Sequence, residues 1–220
     1  MDTHLVIFDF DGTIADTKES VISITNRLAP EFGFAPLDEK EIAHFQNLTA
    51  KEVIKQSRVC WWQLPFLMKR VRQELKTELK NISPIKGIDT VLETLTQNNN
   101  CQLGIITSNS EDNASQFLRQ HGLLHCFNFI ESSFHVFGKD KVIKRCLHQK
   151  NVSPEMVTYV GDETRDIEAA KKSGVRSVAV SWGFNTAEAL AKCNPDFLID
   201  QPSELLLAMK PACEKVSEQS

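Results

Sequence analysis

The stretch that decides the fold of this chain lies at residues 4–13 and reads His4-Leu5-Val6-Ile7-Phe8-Asp9-Phe10-Asp11-Gly12-Thr13. Its apolar run predicts a buried β-strand over residues 4–10, and Gly12 ends that run as a turn residue. Asp9 and Asp11 then stand at the carboxyl end of a strand, which is the edge where open α/β sheets bind ligands. Two carboxylates on one side of a strand repel each other unless a cation neutralises them. Oxygen ligands of this kind suit Mg²⁺.

The second half of the chain alternates between strand and helix patterns. Strands are predicted at residues 103–107, 127–130, 158–160, 177–180 and 197–199. Helices are predicted near residues 88–98, 111–121, 139–150, 164–173, 186–192 and 203–209. This alternation indicates right-handed crossovers and a mostly parallel sheet. We therefore predict an α/β fold whose Rossmann-like catalytic core comprises residues 1–15 and 83–220.

Residues 16–82 have a different character, with helical periodicity and no strong strand signal. Apolar residues at positions 64, 67, 68, 71, 75 and 79 follow one helical stripe, and Pro65 fits the first turn of that helix. Asp38 and Thr49 are candidate N-caps of two further helices. We predict an inserted α-helical cap over residues 16–82 that lies above the strand ends, opens and closes, and carries the substrate contacts.

Composition narrows the class of protein. The 220 residues are 41% hydrophobic and 25% charged, with a net charge of −4, as in ordinary soluble globular proteins. No run approaches the roughly 18 apolar residues of a membrane helix, no signal peptide is visible, and no basic stretch indicates nucleic-acid binding. Six scattered cysteines form no CxxC pair, which favours reduced thiols. We expect a cytoplasmic protein without nucleic-acid or membrane partners; the oligomeric state stays open.

Three further segments follow predicted strands or precede predicted helices. Thr107, Ser108 and Asn109 follow a strand, where hydroxyls and backbone N–H groups hold phosphate oxygens, although the same residues also suit a helix N-cap. Lys139 follows Gly138 and is a candidate partner for phosphate; otherwise it is a solvated charge at a helix start.

The third segment, Gly161-Asp162-Glu163-Thr164-Arg165-Asp166, follows a strand. Asp162 and Asp166 are one helical turn apart and can face the same place. This spacing suits one carboxylate that binds a metal directly and one that supports it. The alternative reading is an ordinary helix cap followed by surface charges.

Taken in order, these motifs resemble the haloacid dehalogenase-like hydrolase superfamily, in its phosphatase branch with a helical cap, over nearly the whole chain. The segments 181–184 and 195–200 are also similar to the phosphoglycolate phosphatase-like subgroup. The resemblance implies that Asp9 is the nucleophile that attacks phosphorus, and that Asp11 is the general acid and then the general base.

The resemblance also assigns the remaining site residues. Asp9, Asp162 and the backbone carbonyl of Asp11 would hold Mg²⁺, with Asp166 in support. Thr107, with Ser108 and Asn109, would bind the phosphoryl group of a small phosphorylated metabolite. Lys139 would offset negative charge, although Lys141 could take its place.

Several functions share this pattern. The preferred interpretation is a Mg²⁺-dependent phosphatase acting on a small phosphomonoester, and the alternative within enzymes is a sugar phosphomutase of the β-phosphoglucomutase type. A non-catalytic binding protein on the same fold is the alternative of another class. Asp11 argues against the dehalogenase and phosphonatase branches, whose members would not need a carboxylic acid at this position. The sequence does not identify the phosphomonoester; Gln46, Asn47, Lys51 and Arg58 are candidate contacts in the cap.

Overall fold

A computed structural model describes residues 3–57, 59–60, 62–98, 100–133 and 138–214. Its strands form one six-stranded sheet in the order β3-β2-β1-β4-β5-β6, with every neighbouring pair parallel. The strands are β1 (His4–Phe8), β2 (Cys101–Thr107), β3 (Phe129–Ser132), β4 (Val157–Gly161), β5 (Arg176–Val180) and β6 (Phe197–Ile199). The predicted α/β fold with a parallel sheet is confirmed.

The described residues include ten α-helices, of which the first four lie between β1 and β2. These four are α1 (Lys18–Leu28), α2 (Glu39–Gln46), α3 (Ala50–Gln56) and α4 (Leu64–Glu78). The others are α5 (Ile88–Thr96), α6 (Glu111–Gln120), α7 (Lys139–Lys150), α8 (Thr164–Ser173), α9 (Ala187–Lys192) and α10 (Glu204–Glu214). No helix in these ranges is long and apolar enough to cross a membrane.

The chain changes direction within the sheet at β1. From β1 it continues outward on one side through β2 and β3, and then returns to the other side for β4, β5 and β6. Such a switch point opens a crevice at the carboxyl ends of the central strands. The backbone N–H of Asp9, which directly follows β1, donates to the carbonyl of Val160 at 2.8 Å. Asp9 is thereby fixed in that crevice.

The first strand is shorter than its sequence predicts. It ends at Phe8, whereas the apolar pattern continues to Phe10. The backbone turns back at this point, because the N–H groups of Ile14 and Ala15 both donate to the carbonyl of Phe10. Gly12 has φ +76°, the left-handed conformation that this turn requires. Asp9 and Asp11 therefore lie on a loop, and alternation along a strand does not set their directions.

Local sequence signals determine where the helices between β1 and β2 begin. Asp38 caps α2 and Thr49 caps α3, each in a capping box with a glutamate three residues later. Helix α4 carries Pro65 in its first turn. Helix α1 packs beside α4, with an ion pair of 2.6 Å between Arg27 and Glu74.

The chain enters and leaves the helical segment at one place. Ala15 and Pro84 form an antiparallel bridge. The N–H of Asp16 donates to the carbonyl of Ser83 at 3.0 Å, and the N–H of Ile85 donates to the carbonyl of Ile14 at 2.8 Å. The backbone segments 14–16 and 83–85, which we call the clasp, therefore run side by side.

Apolar packing is continuous from the sheet into the helical segment. One cluster of buried side chains contains Val6 and Phe8 of β1 together with Ile24 of α1 and Leu75 of α4. A second cluster covers the opposite face of the sheet and includes Tyr159. The larger cluster therefore extends across the predicted boundary of the cap.

Candidate active site

A buried ion-pair network stands at the carboxyl end of β1. The ammonium of Lys139 lies 2.6 Å from Oδ2 of Asp9 and 2.6 Å from Oδ1 of Asp166. Burial alone would lower the pKa of Lys139, but the two carboxylates outweigh it and hold that pKa well above its usual range. Lys141 lies on the same helix and is exposed to solvent. The structure thus brings Lys139, and not Lys141, to Asp9.

Asp162 is held from both sides. Its Oδ1 accepts from the hydroxyl of Thr13 at 2.7 Å, and its Oδ2 accepts from the N–H of Phe184 at 2.7 Å. Two glycines leave room for this carboxylate, because a Cβ on Gly12 would come within 2.4 Å of Oδ2 and one on Gly183 within 2.2 Å. The loop after β1 and the loop after β5 therefore close around Asp162.

Three buried carboxylates form a candidate cation site. Asp9, Asp162 and Asp166 each offer an oxygen, and these oxygens lie within 4.8 Å of one another. Burial raises the pKa of Asp9 to about 7, with Lys139 opposing the shift. Burial, with the nearby charges of Glu163 and Asp9, also holds the pKa of Asp162 well above its usual range. The three carboxylates carry more negative charge than the ammonium of Lys139 neutralises. Their oxygens form a donor set that fits a hard divalent cation.

Asp11 faces a different set of partners. The amide Nδ2 of Asn109 lies 3.2 and 3.1 Å from its two carboxylate oxygens. The Asn109 amide is itself fixed, because its Oδ1 accepts from the N–H of Ser110 and from Asn113. Burial raises the pKa of Asp11 to about 6, and the hydrogen bond from Asn109 opposes the shift. Asn109 therefore contacts a carboxylate directly, a partner that the sequence did not indicate.

The other two residues after β2 also lie at the site. Thr107 is buried at the strand end, and its hydroxyl oxygen accepts from the N–H of Asn109 at 2.9 Å. Ser108 lies beside Arg165, whose guanidinium donates to the Ser108 hydroxyl at 3.4 Å.

Two arginines and one loop lie at the site although the sequence did not predict them as functional residues. Arg165, within the Asp162–Asp166 motif, pairs with Glu163 at 2.5 Å. Burial lowers the pKa of Arg72 on α4. The charge of Asp11 opposes this shift, and the charge of Arg165 adds to it. The position of Arg165 within the motif was an available signal. The sequence around Arg72 indicates only a polar position on a helix and gives no sign that this side chain lies at the site.

The loop after β5, residues 181–186, joins the helical segment to the carboxylates. Asn185 donates from Nδ2 to the carbonyls of Gln46 at 2.8 Å and Leu48 at 3.0 Å, and its Oδ1 accepts from the N–H of Thr164. The hydroxyl of Thr186 donates to Oδ1 of Asn47 at 2.7 Å. Hydrogen bonds therefore hold the turn between α2 and α3 against the loop that follows β5.

The four candidate substrate contacts of the cap have different surroundings. Gln46 lines a cavity above the site, and Asn47 is bonded to Thr186. Lys51 lies 3.9 Å from Glu168. Arg58 lies outside the described residues.

The cavity has a volume of about 370 Å³ and lies between the sheet edge and the helical segment. Asp11, Ser108, Asn109 and Arg165 contribute to its polar end, and apolar side chains of α1–α4 form its walls. A cavity of this size accommodates a small organic ligand.

Family comparison agrees with this arrangement. Residues 6–180 match the family model of haloacid dehalogenase-like hydrolases, and the chain belongs to that family.

Among curated proteins, the chain is 36% identical over 204 residues to the phosphoglycolate phosphatase of Synechococcus elongatus, covering 93% of this chain and 96% of the relative. It is 24% identical over 211 residues to the N-acetylmuramic acid 6-phosphate phosphatase of Pseudomonas aeruginosa, covering 91% and 92%. A solved structure of a haloacid dehalogenase-like family hydrolase from Streptococcus pneumoniae superposes with a TM-score of 0.76 at 23% identity, covering 94% of this chain and 99% of that one. The last comparison supports the fold.

These findings confirm the resemblance, the hydrolase class and phosphatase activity. Phosphatases of this family generally depend on a metal, which agrees with a divalent cation at the carboxylate cluster. The phosphatase relatives act on small phosphorylated compounds, as their names state.

Proposed function

We propose that this chain is a Mg²⁺-dependent phosphatase that hydrolyses a small phosphorylated metabolite, with Asp9 as the nucleophile. One observation carries the proposal: buried Asp9 contacts Lys139 at 2.6 Å and lies within the carboxylate cluster, at the sheet edge where the cavity opens. We place the enzyme in the cytoplasm, where the free thiols described in the structure would stay reduced.

The charges of the site suit phosphoryl transfer, which depends on positioning and on neutralising negative charge. Asp9, Asp162 and the backbone carbonyl of Asp11 would hold Mg²⁺, and Asp166 would keep Lys139 in place. When bound, the cation supplies positive charge to the phosphoryl oxygens and to the carboxylates. Lys139 balances the charge on Asp9, and the Thr107 hydroxyl donates to a phosphoryl oxygen.

The chemistry divides between two carboxylates. Asp9 Oδ attacks phosphorus, the P–O bond to the alcohol breaks, and Asp11 gives its proton to the departing oxygen. Asp11 then takes a proton from the water that attacks the aspartyl-phosphate, which releases phosphate and regenerates Asp9. A pKa of about 6 for Asp11 suits both proton transfers near neutral pH. Asn109 orients Asp11 through the hydrogen bonds from its amide.

The direct test is release of p-nitrophenol from p-nitrophenyl phosphate. Protein treated with EDTA should be inactive, and Mg²⁺ should restore turnover. Asp9→Asn should lower kcat at least about 10³-fold, because the amide cannot attack phosphorus. Asp16→Asn is the matched control, since Asp16 is exposed nearby, and it should retain activity.

Full activity in excess EDTA would contradict the metal requirement. Near-normal turnover by a folded Asp9→Asn protein would place the nucleophile elsewhere. The phosphomutase alternative predicts isomerisation of a sugar phosphate without release of phosphate, so the same assay separates the two functions.

A further inference from the structure

The cavity above the carboxylates has two chemically different parts. At one end are Asp11, Asn109 and Arg165. Most of its wall consists of apolar side chains from helices of the segment between β1 and β2, including Ile42, Phe45, Val53 and Ile54, whereas Arg72 of α4 lies near Asp11. A ligand that fills the cavity would therefore have a polar end at the sheet and an apolar body among the helices.

The apolar faces of helices α2 and α3 line this cavity. Neither helix contains a fully buried residue among those described. Ile42 of α2 and Val53 and Ile54 of α3 are instead half-buried and line the cavity. Apolar surface that faces water is less stable than the same surface covered by an apolar ligand. A ligand with an apolar body would recover that stabilisation.

The position of Asp11 indicates which part of a substrate occupies the cavity. This step rests on the proposed function, in which Asp11 protonates the oxygen of the departing alcohol. Asp11 lines the cavity, whereas Asp9 is 2% exposed and lies at the strand end below it. With the phosphoryl group between Asp9 and Asp11, the alcohol extends from Asp11 into the apolar part.

We propose that the natural substrate is the phosphomonoester of an apolar alcohol, with an aliphatic or aromatic body among α1–α4. A two-carbon alcohol that bears a carboxylate would leave most of the 370 Å³ to water. The predicted selectivity therefore favours a large apolar body.

A homologous series of substrates tests this proposal on the whole enzyme. Phosphate release is measured for ethyl, butyl and hexyl phosphate and for phosphoglycolate, at saturating Mg²⁺. Each added methylene should raise kcat/KM about fourfold until the cavity is filled, and hexyl phosphate should exceed phosphoglycolate. A flat or falling series, or a preference for phosphoglycolate, would overturn the proposal.

Failure of the proposed function would give a different result. In that case neither p-nitrophenyl phosphate nor any member of the series would release phosphate. Turnover of p-nitrophenyl phosphate together with a flat alkyl series leaves the phosphatase intact and rejects only the apolar substrate.

Substitutions inside and outside the cavity test whether the alcohol part of the substrate binds there. Ala50 lines the cavity at the start of α3, whereas Ala43 on α2 is exposed outside it. Ala50→Phe should lower the ratio of kcat/KM for hexyl over ethyl phosphate at least tenfold, and Ala43→Phe should leave that ratio unchanged. If Ala50→Phe does not fold, Val53→Thr, of similar shape with a hydroxyl in the wall, should lower the same ratio about fivefold. An unchanged ratio in a folded cavity variant would reject this cavity as the alcohol site.

Discussion

Asp11 differs from the other carboxylates of the site in its surroundings. Asp9 and Asp166 contact the ammonium of Lys139, whereas Asp11 accepts hydrogen bonds from the neutral amide of Asn109. An ammonium at contact distance would favour the ionised carboxylate strongly, and an amide favours it less. Burial nevertheless raises the pKa of Asp9 to about 7 and that of Asp11 to about 6, so Asp11 differs from Asp9 by its neutral partner and its place on the cavity and not by a higher pKa.

Replacing Asp11 should expose its two roles separately. With p-nitrophenyl phosphate the leaving group is already good, so Asp11→Asn should slow chiefly the hydrolysis of the aspartyl-phosphate. Stopped-flow absorbance should show a burst of p-nitrophenol followed by slow turnover. With an alkyl phosphate the first step also needs the acid, and kcat should fall about 10²–10⁴-fold without a burst. Small, equal effects on both substrates would contradict the acid/base role.

His4, at the start of β1, gives the fold a dependence on pH. It is buried, and its Nε2 lies 2.9 Å from the hydroxyl of Thr158. Burial, with the charge of Arg176, lowers the pKa of His4 from 6.5 to about 4. Between those two values the unfolded chain binds a proton and the folded protein does not. The contribution of His4 to the free energy of unfolding therefore falls as the pH falls through this window.

The variant His4→Gln cannot titrate and keeps an amide near Thr158. Urea unfolding at pH 7 and pH 5 should show that the native protein loses about 1 kcal/mol more than the variant between these values. His148→Gln, at an exposed position on α7, should leave the native pH dependence in place. Identical losses in native and His4→Gln protein would show that His4 does not set this dependence.

At the scale of elements, the loop 181–186 contacts both the helical segment, whose opening and closing the sequence predicts, and the carboxylates. The same loop donates to Asp162 through Phe184 and to the turn between α2 and α3 through Asn185. A segment that opens for substrate would have to break the Asn185 bonds first. A change in the Asn185 bonds would therefore act on Asp162 through the same loop.

Asn185→Ala removes two hydrogen bonds across this contact. Each is worth about 0.5–1.5 kcal/mol, so the closed arrangement should become less populated. We expect kcat/KM to fall roughly tenfold, mainly through KM, because the carboxylates keep their own partners. Gln102→Ala, at an exposed position on β2, serves as the control. An unchanged KM would indicate that closure does not depend on this loop.

The sequence predicted those elements whose causes are local. Asp38 and Thr49 cap helices because the glutamates that complete each capping box lie three residues away. The end of β1 was predicted two residues too late, since apolar Phe10 looks like a strand residue but accepts the turn bonds of Ile14 and Ala15.

Contacts between distant parts of the chain could not be predicted in the same way. Asn109 meets Asp11 across 98 residues, and Asn185 meets Gln46 across 139 residues. No local pattern encodes either pair. The order of the motifs along the chain predicted that the carboxylates would lie near one another, because the carboxyl ends of parallel strands lie at one edge of the sheet. It did not specify which neighbours those side chains would contact.

At the scale of the whole molecule, the shared apolar cluster joins the helical segment to the sheet. Ile24 and Leu75 belong to the same buried cluster as Val6 and Phe8. Two units that share a core lose stability together, which favours one cooperative transition. If the helical segment opens and closes as predicted, we expect small shifts of packed helices that leave the larger cluster buried.

Tryptophan fluorescence can test this cooperativity. Trp182→Phe leaves emission only from positions 61 and 62, which lie between α3 and α4 in the sequence. The double variant Trp61→Phe/Trp62→Phe leaves only Trp182, whose Nε1 donates to the carbonyl of Thr13 at 3.2 Å. In each protein the urea midpoint from fluorescence should equal the midpoint from far-UV circular dichroism. A fluorescence midpoint in Trp182→Phe well below its circular dichroism midpoint would show that the helical segment unfolds on its own.

The clasp also has a consequence for the order in which the chain folds. Strands β1 and β2 pair in the centre of the sheet, although residues 9–100 separate them. Closing so long a loop costs conformational entropy that grows with the logarithm of its length. Once segments 14–16 and 83–85 have met, the effective loop shrinks to residues 9–15 and 84–100, which reduces that cost by about 1 kcal/mol. We therefore expect the central strands to pair after the clasp has formed, because that pairing step then closes the shorter loop.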